Sequence, residues 1–335
     1  MIMMEVNLTT HNNSWNPCDI NLYSDSYILC VVYGLVFCIG LPSNCLALYG
    51  LYSLVKAENI LPVFVINLLL SDLIQIFIIP LWIDYYRNGH KWRFGVISCR
   101  VFGCIFYICL FVSIFFMCCI AMERYLAIAH PLKFRSYEKL RNATLICVTL
   151  WVVVSIGTSA AFCIGLADAP RSLCMETYSI GKDYAVFQLV AMTITFLFPF
   201  VLLMYIYYNT RKKITSIISV HEKEKRKIMN LLSLIIVIFV VVFGPYHIIC
   251  YVISIAVLIL DDRCNFLSQI FIYEQVTMGL LSLNCLLDPV MYIFLRKDFR
   301  KTVVRIFPFL KRARCWKSLT GSQVESTSRE VQTQK

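Results

Sequence analysis

Charge is what this chain lacks most. Of its 335 residues only 15% are Asp, Glu, Lys or Arg, and 59% are hydrophobic, against about 25% charged and 45–50% apolar in soluble domains. A soluble core of that composition would leave large apolar patches in water. The mean hydropathy of +0.71 instead points to several membrane spans. Period-two alternation is missing as well. The run Leu231-Leu-Ser-Leu-Ile-Ile-Val-Ile-Phe-Val-Val-Val-Phe243 does not alternate, whereas barrel strands alternate over ~10-residue segments. No internal repeat or inverted pair of hydropathy halves is present, which argues against a transporter built on broken, repeated helices. G-x-G-x-x-G and Walker patterns are absent, and His221-Glu-Lys-Glu-Lys225 only imitates H-E-x-x-H because its second His is a Lys. No enzyme is expected. Residues 1–25 are polar and carry no cleavable signal, so the first span is expected to act as the insertion signal.

Long apolar runs are what the chain does have. A spanning helix needs roughly 20 mainly apolar residues, and the stretches 26–53, 61–86, 96–130, 142–166, 184–213, 226–258 and 266–295 qualify. The expected fold class is all-α, a seven-transmembrane helix bundle. The third and sixth stretches are long enough to extend past the bilayer. With alternating sides, Arg87, Lys91, Arg93, Arg100, Arg171, Lys182 and Arg263 fall on one side, and the rest of the 31 basic residues fall on the other. Excess Lys and Arg marks the cytoplasmic side. The N-terminus is therefore expected outside, in a multi-pass plasma-membrane protein. The net charge of +11 then reads as an inner-leaflet anchor and not as a nucleic-acid footprint.

Most of the 16 cysteines are single residues inside spans, where a small polarizable side chain packs well. Four lie at or beyond the outer rim: Cys18, Cys99, Cys174 and Cys264. The outside is oxidising, and bridges Cys99–Cys174 and Cys18–Cys264 would use all four. Asn7 and Asn12 sit in outer-side glycosylation patterns, while Asn142 matches on the inner side and is discounted. Cys315 follows a basic run and suits palmitoylation. Ser318, Thr320, Ser322, Ser326, Thr327 and Ser328 lie in a polar tail open to phosphorylation.

Polar residues within spans are costly and mark function by default. Asn44, Asp72, Ser113, Asn284 and Asp288 lie at similar depths. Two uncompensated carboxylates would repel, so a shared ion or proton site is expected, with sodium at Asp72 as the candidate cation and no other metal or cofactor. Pro42, Pro80, Pro199, Pro245 and Pro289 recur inside the spans, where each removes a helical hydrogen bond and favours a bend.

Taken in register, Asn44, Leu68-Leu-Leu-Ser-Asp72, Cys99 with Cys174, Glu123-Arg124-Tyr125, Trp151, Pro199, Phe243-Gly-Pro245 and Asp288-Pro-Val-Met-Tyr292 resemble the rhodopsin-like (class A) G-protein-coupled receptors over residues 26–306. The order implied is an extracellular segment 1–25, a bundle 26–295, an amphipathic eighth helix 296–308 at the inner surface and a cytoplasmic tail 309–335. The resemblance implies that Glu123 restrains Arg124 at rest. Arg124, with Tyr125, Tyr207 and Tyr292, would then meet a heterotrimeric G protein, and the phosphorylated tail would meet arrestin. A neighbouring carboxylate neutralises the guanidinium, and its release frees a donor-rich fork. Three positions depart from the commonest pattern. Lys225 stands where many relatives have an acid, Phe243 where most have Trp, and Asp288 where many have Asn.

Within the family, Ile79-Pro-Leu-Trp-Ile-Asp-Tyr-Tyr86, His90-Lys-Trp92, Phe116-Met-Cys-Cys-Ile120, Ala127-Ile-Ala-His-Pro131, Cys174-Met-Glu176 and Phe243-Gly-Pro-Tyr-His247 resemble the proton-sensing and lysolipid branch. That implies a lipid ligand (a lysolipid or oxidised fatty acid), protons, or both. The alternatives are a class A receptor for a peptide or nucleotide-like ligand and, from another class, a transporter. For a lipid, Trp82, Tyr86, Phe106, Tyr107, Phe111, Phe243, Tyr246, His247 and Tyr251 would line the outer half, with Glu274 as charged anchor and Arg87 and Arg171 nearby. Histidine is scarce: His11, His90, His130, His221 and His247 are all there are. His130 and His221 fall inside. His90 is expected in an exposed outer loop and His247 one turn above Pro245. An acidic residue that strong acid sensors of the branch use reads here as Val154, leaving Asp72 and Asp288 to share a proton.

Overall fold

The computed structural model describes residues 26–55, 61–131, 134, 140–165, 174, 181–216, 222–260 and 264–295. Among them all regular structure is helical. Seven helices are long and apolar enough to cross a membrane: α1 Ser26–Leu51, α2 Val63–Arg87, α3 Val96–Ala129, α4 Leu140–Cys163, α5 Lys182–Ser216, α6 Glu224–Ile259 and α7 Cys264–Met291. The expected ends hold to within a few residues, except that α5 is as long as α3 and α6. The segments 1–25, 296–308 and 309–335, with Cys18, Asn7, Asn12, Arg171, Cys315 and the tail hydroxyls, lie outside the described residues.

α3 is the central post, packing on α2, α4, α5 and α6, while α7 closes the ring on α1, α2 and α6. Its side chains are accordingly the most enclosed, with Val112, Ile114, Phe116 and Met117 fully buried. Apolar residues also cover the outer faces. Val152, Val153 and Ile156 of α4 are exposed, a pattern that hydrocarbon tolerates and water does not.

The span prolines shape three helices in one way. α1, α5 and α6 each contain one five-residue π-helical turn, at Val36–Gly40, Thr193–Leu197 and Phe239–Phe243. Each turn ends two residues before a proline: Pro42, Pro199 or Pro245. Proline donates no hydrogen bond, and its ring crowds the carbonyl four residues back. That carbonyl belongs to Cys38, Thr195 or Val241, inside the widened turn each time. α7 instead breaks, with helix Cys264–Leu281 giving way at Ser282 and Leu283 to helix Asn284–Leu295. Pro80 sits within unbroken α-helix. At Gly279 a Cβ would lie 2.8 Å from Leu29 Cδ2, so glycine lets α7 approach α1.

Candidate functional site

Near its C-terminal end α3 carries Glu123 and Arg124. Adjacent helical residues do not face one another, so the side chains must turn to meet. Arg124 Nε lies 3.2 Å from Glu123 Oε2, with the side chains 25% and 8% exposed. Lys225 of α6 is drawn to its own helix by Glu222, 2.8 Å away. Tyr125 and Tyr207 are half-buried. Tyr292 continues the last helix, and its side chain is outside those described.

At mid-depth Asp72 and Asp288 are both buried. Asn284 Nδ2 donates to Asp288 Oδ2 at 2.9 Å and to Asp72 Oδ1 at 3.4 Å. The break at Ser282 and Leu283 carries Asn284 to this point. Asn44 ties α1 to the same region, donating to Cys285 O at 2.8 Å. Ser113 is 2.8 Å from Ser71 Oγ, beside Asp72. Five buried oxygens there have no hydrogen-bond partner among the described residues: Asp72 Oδ2, Asp288 Oδ1, Asn284 Oδ1, Asn44 Oδ1 and Ser282 Oγ. An acceptor-rich, donor-poor cluster suits a hard cation or a proton. Among the described residues no group of three or more His, Cys, Asp or Glu could hold a metal ion.

Trp82, Tyr86 and Phe106 are buried and pack into a cluster with Tyr85 and Trp92, Trp82 meeting Trp92 at 5.4 Å and Phe106 at 6.2 Å. Tyr86 donates to Gln275 Oε1 at 3.3 Å. His90 is not an exposed loop residue: it is 1% exposed. The end of α2 explains why. Gly89 takes φ 65°, and the Gly89 and His90 N–H groups donate to Tyr86 O and Tyr85 O, both at 3.1 Å. This reversed cap folds the residue after the glycine back over the helix end. His90 itself has φ 59°, and its ring lies 5.3 Å from Tyr85, 5.1 Å from Tyr86 and 6.0 Å from Phe271. Cys99 and Cys174 are joined, their Cα atoms 5.6 Å apart. Cys264 is also disulfide-bonded; Cys18 is outside the described residues.

A cavity of about 450 Å³ lies among α3, α4 and α5. Of the pocket residues expected from sequence, Tyr107, Phe111 and Tyr246 line it. The Tyr107 and Tyr246 hydroxyls are 2.7 Å apart, joining α3 to α6. Phe243 is fully buried in the core. His247 stacks on Phe196 at 4.6 Å, and Tyr251 meets Thr193 Oγ1 at 3.0 Å. Glu274 of α7 is half-buried. Gln75, Thr158, Tyr184 and Gln188 were missed from sequence. They belong to no motif, although a glutamine inside a span is itself a functional signal.

Seven membrane-crossing helices around a central α3, with an ion pair near its C-terminal end and the buried carboxylates of α2 and α7 at mid-depth, define a seven-span receptor. Residues 43–292 match the family "7 transmembrane receptor (rhodopsin family)", and the chain belongs to it. It is 32% identical to G-protein coupled receptor 68 of Mus musculus over 97% of this chain and 87% of that protein. It is 28% identical to probable G-protein coupled receptor 132 of Mus musculus over 95% and 83%, and 28% identical to G-protein coupled receptor 183 of Homo sapiens over 94% and 91%.

Proposed function

We propose that the chain is a cell-surface receptor, N-terminus outside, that couples an extracellular signal to heterotrimeric G-protein activation. The observation that carries this is the Glu123–Arg124 ion pair at 3.2 Å in a chain of this family. Arg124 is restrained by Glu123 and, once freed, offers its fork to the G protein. Because Lys225 pairs with Glu222, no acid from that position reinforces the restraint, which favours some basal signalling. The signal is a lysolipid or oxidised fatty acid, protons, or both. Support comes from the branch resemblance along 79–92 and from residues 87–93, which resemble the G2 accumulation receptor. Sodium held by Asp72, Asp288 and the neighbouring oxygens would favour the resting state, and a proton would compete with it. The phosphorylated tail would recruit arrestin. The test is nucleotide exchange on purified G protein by receptor in vesicles. Arg124→Ala should abolish exchange while the protein still reaches the membrane; normal exchange by that variant would overturn the assignment.

A further inference from the structure

We propose that Gln75 is a built-in rival to the cation at the mid-depth cluster. Its amide NH2 group takes the open oxygen of Asp72 when sodium leaves, and so weakens the hold of the site on sodium. This rests on the reading above that sodium occupies the cluster. Gln75 and Asp72 are both buried, at 1% and 0% exposure, and lie three residues apart on α2. Residues at that spacing share a helix face, with Cβ atoms roughly 5–6 Å apart. Long side chains in a helix lean back toward its N-terminus, over the turn three to four residues earlier. Gln75 therefore carries its amide over the turn that holds Ser71 and Asp72. Gln75 Nε2 is buried without a hydrogen-bond partner among the described residues, and so is Asp72 Oδ2. A buried donor without an acceptor and a buried acceptor without a donor are each costly. Here one turn of one helix brings the two together.

The neighbouring donors are already committed. Ser71 Oγ donates to Leu68 O at 2.6 Å, which leaves Ser113 Oγ to donate to Ser71 Oγ at 2.8 Å. Asn44 Nδ2 donates to Gly40 O at 2.9 Å and to Cys285 O at 2.8 Å. Asn284 Nδ2 serves Asp288 Oδ2 and Asp72 Oδ1. The Ser282 hydroxyl makes no bond among the described residues, but it belongs to α7, at the break before Asn284. Gln75 is thus the donor that α2 itself offers to Asp72. With it, each oxygen of Asp72 has one amide, from Asn284 and from Gln75, and hydrogen bonds to a charged acceptor are the strong kind. Sodium needs the same oxygen, because hard cations are held by oxygen ligands. The Gln75 bond is therefore made only in the sodium-free state and lowers the free energy of that state alone. Sodium binds more weakly by the worth of the bond.

The experiment needs no G protein. Thermal unfolding of the full chain in phosphatidylcholine vesicles is followed as sodium chloride replaces choline chloride at constant ionic strength. An ion that binds the folded protein raises Tm with its concentration. Gln75→Met keeps the length of the side chain and deletes the amide. Its sodium effect should half-saturate at a concentration roughly three- to tenfold lower than in wild type, the usual worth of one hydrogen bond. Gln75→Leu should shift it the same way, so the result does not depend on one variant folding. A residue that only packs would move Tm equally in both salts and leave half-saturation where it was. That outcome, in a wild type that responds to sodium, would overturn the role of Gln75 and leave the sodium site standing. A higher half-saturating concentration would make Gln75 a ligand of the ion and would overturn the rivalry as well. Asp72→Asn should abolish the sodium effect. A wild type whose Tm ignores sodium would instead remove the sodium reading itself, and the proposal with it.

Discussion

Glu123 and Arg124 are neighbours in sequence, and helix geometry alone gives them no reason to meet. They pair at 3.2 Å because Glu123 is 8% exposed, and a carboxylate removed from water needs a partner. Glu123→Gln leaves a neutral amide beside Arg124 and weakens the restraint. Its expected outcome is higher basal nucleotide exchange than wild type at equal receptor density; equal exchange would show that the pair does not hold the resting state. His90 teaches the opposite lesson about reading single residues. A histidine among Asn88, Gly89 and Lys91 reads as exposed loop, yet the glycine cap turns its ring onto Tyr85, Tyr86 and Phe271. His90→Asn retains a residue that tolerates the left-handed backbone and deletes the ring contacts. It should lower thermal stability by about 1–3 kcal/mol, whereas exposed positions usually change by less than about 0.5 kcal/mol. A Tm shift in the smaller range would mean that the ring contributes no packing.

At the scale of the helices, positions were legible and their local form was not. Hydropathy located each span because roughly 20 apolar residues are required. The five prolines announced irregular helices, but whether each yields a kink, a wide turn or nothing depends on the carbonyl four residues back and on its neighbours. Pro42, Pro199 and Pro245 follow π-helical turns, and Pro80 follows none. Gly279 was silent in the sequence, since a glycine in a span has no periodicity to break. The α1–α7 contact gives it a task, because a Cβ there would lie 2.8 Å from Leu29 Cδ2. Gly279→Ala gains about 1 kcal/mol of helix propensity against about 1–3 kcal/mol of overpacking. We expect a lower Tm in the wild-type background and an unchanged or higher Tm where Leu29 is already Ala. This sign change is read in a double-mutant cycle, and an equal loss in both backgrounds would show that Leu29 is not the obstacle.

For the molecule as a whole, the seven-helix architecture was readable because the bilayer forces backbone hydrogen bonds inside each segment, leaving span count and charge to do the rest. The inner ion pair and the Asp72–Asp288–Asn284 cluster were readable because buried polar residues in spans stand out. The outer half was not. Aromatic residues serve core and pocket alike, so Trp82, Tyr86 and Phe106 packed into a cluster while Thr158 and Gln188 faced a cavity. The mid-depth cluster links the two ends, and its chemistry makes a claim about the whole equilibrium. A proton drives the bundle toward its active form only if that form binds it more tightly; equal affinity shifts nothing. A tenfold difference in proton affinity between the two forms supplies about 1.4 kcal/mol. If sodium occupies this cluster in the resting form, as proposed, it and a proton compete for the oxygens of Asp72 and Asp288 that lack a hydrogen-bond partner among the described residues. Acid would then favour the active form by displacing sodium as well as by binding. Exchange catalysed by receptor vesicles should rise as pH falls from about 8 to 6, the range over which proton sensors operate, and that rise should shrink as external sodium increases. Asp72→Asn keeps the size of the side chain, cannot titrate and holds sodium poorly. It should flatten the curve and abolish its sodium dependence together. A pH response that persists in Asp72→Asn, or that ignores sodium in wild type, would place the sensor elsewhere, and buried His90 would be the next group to change.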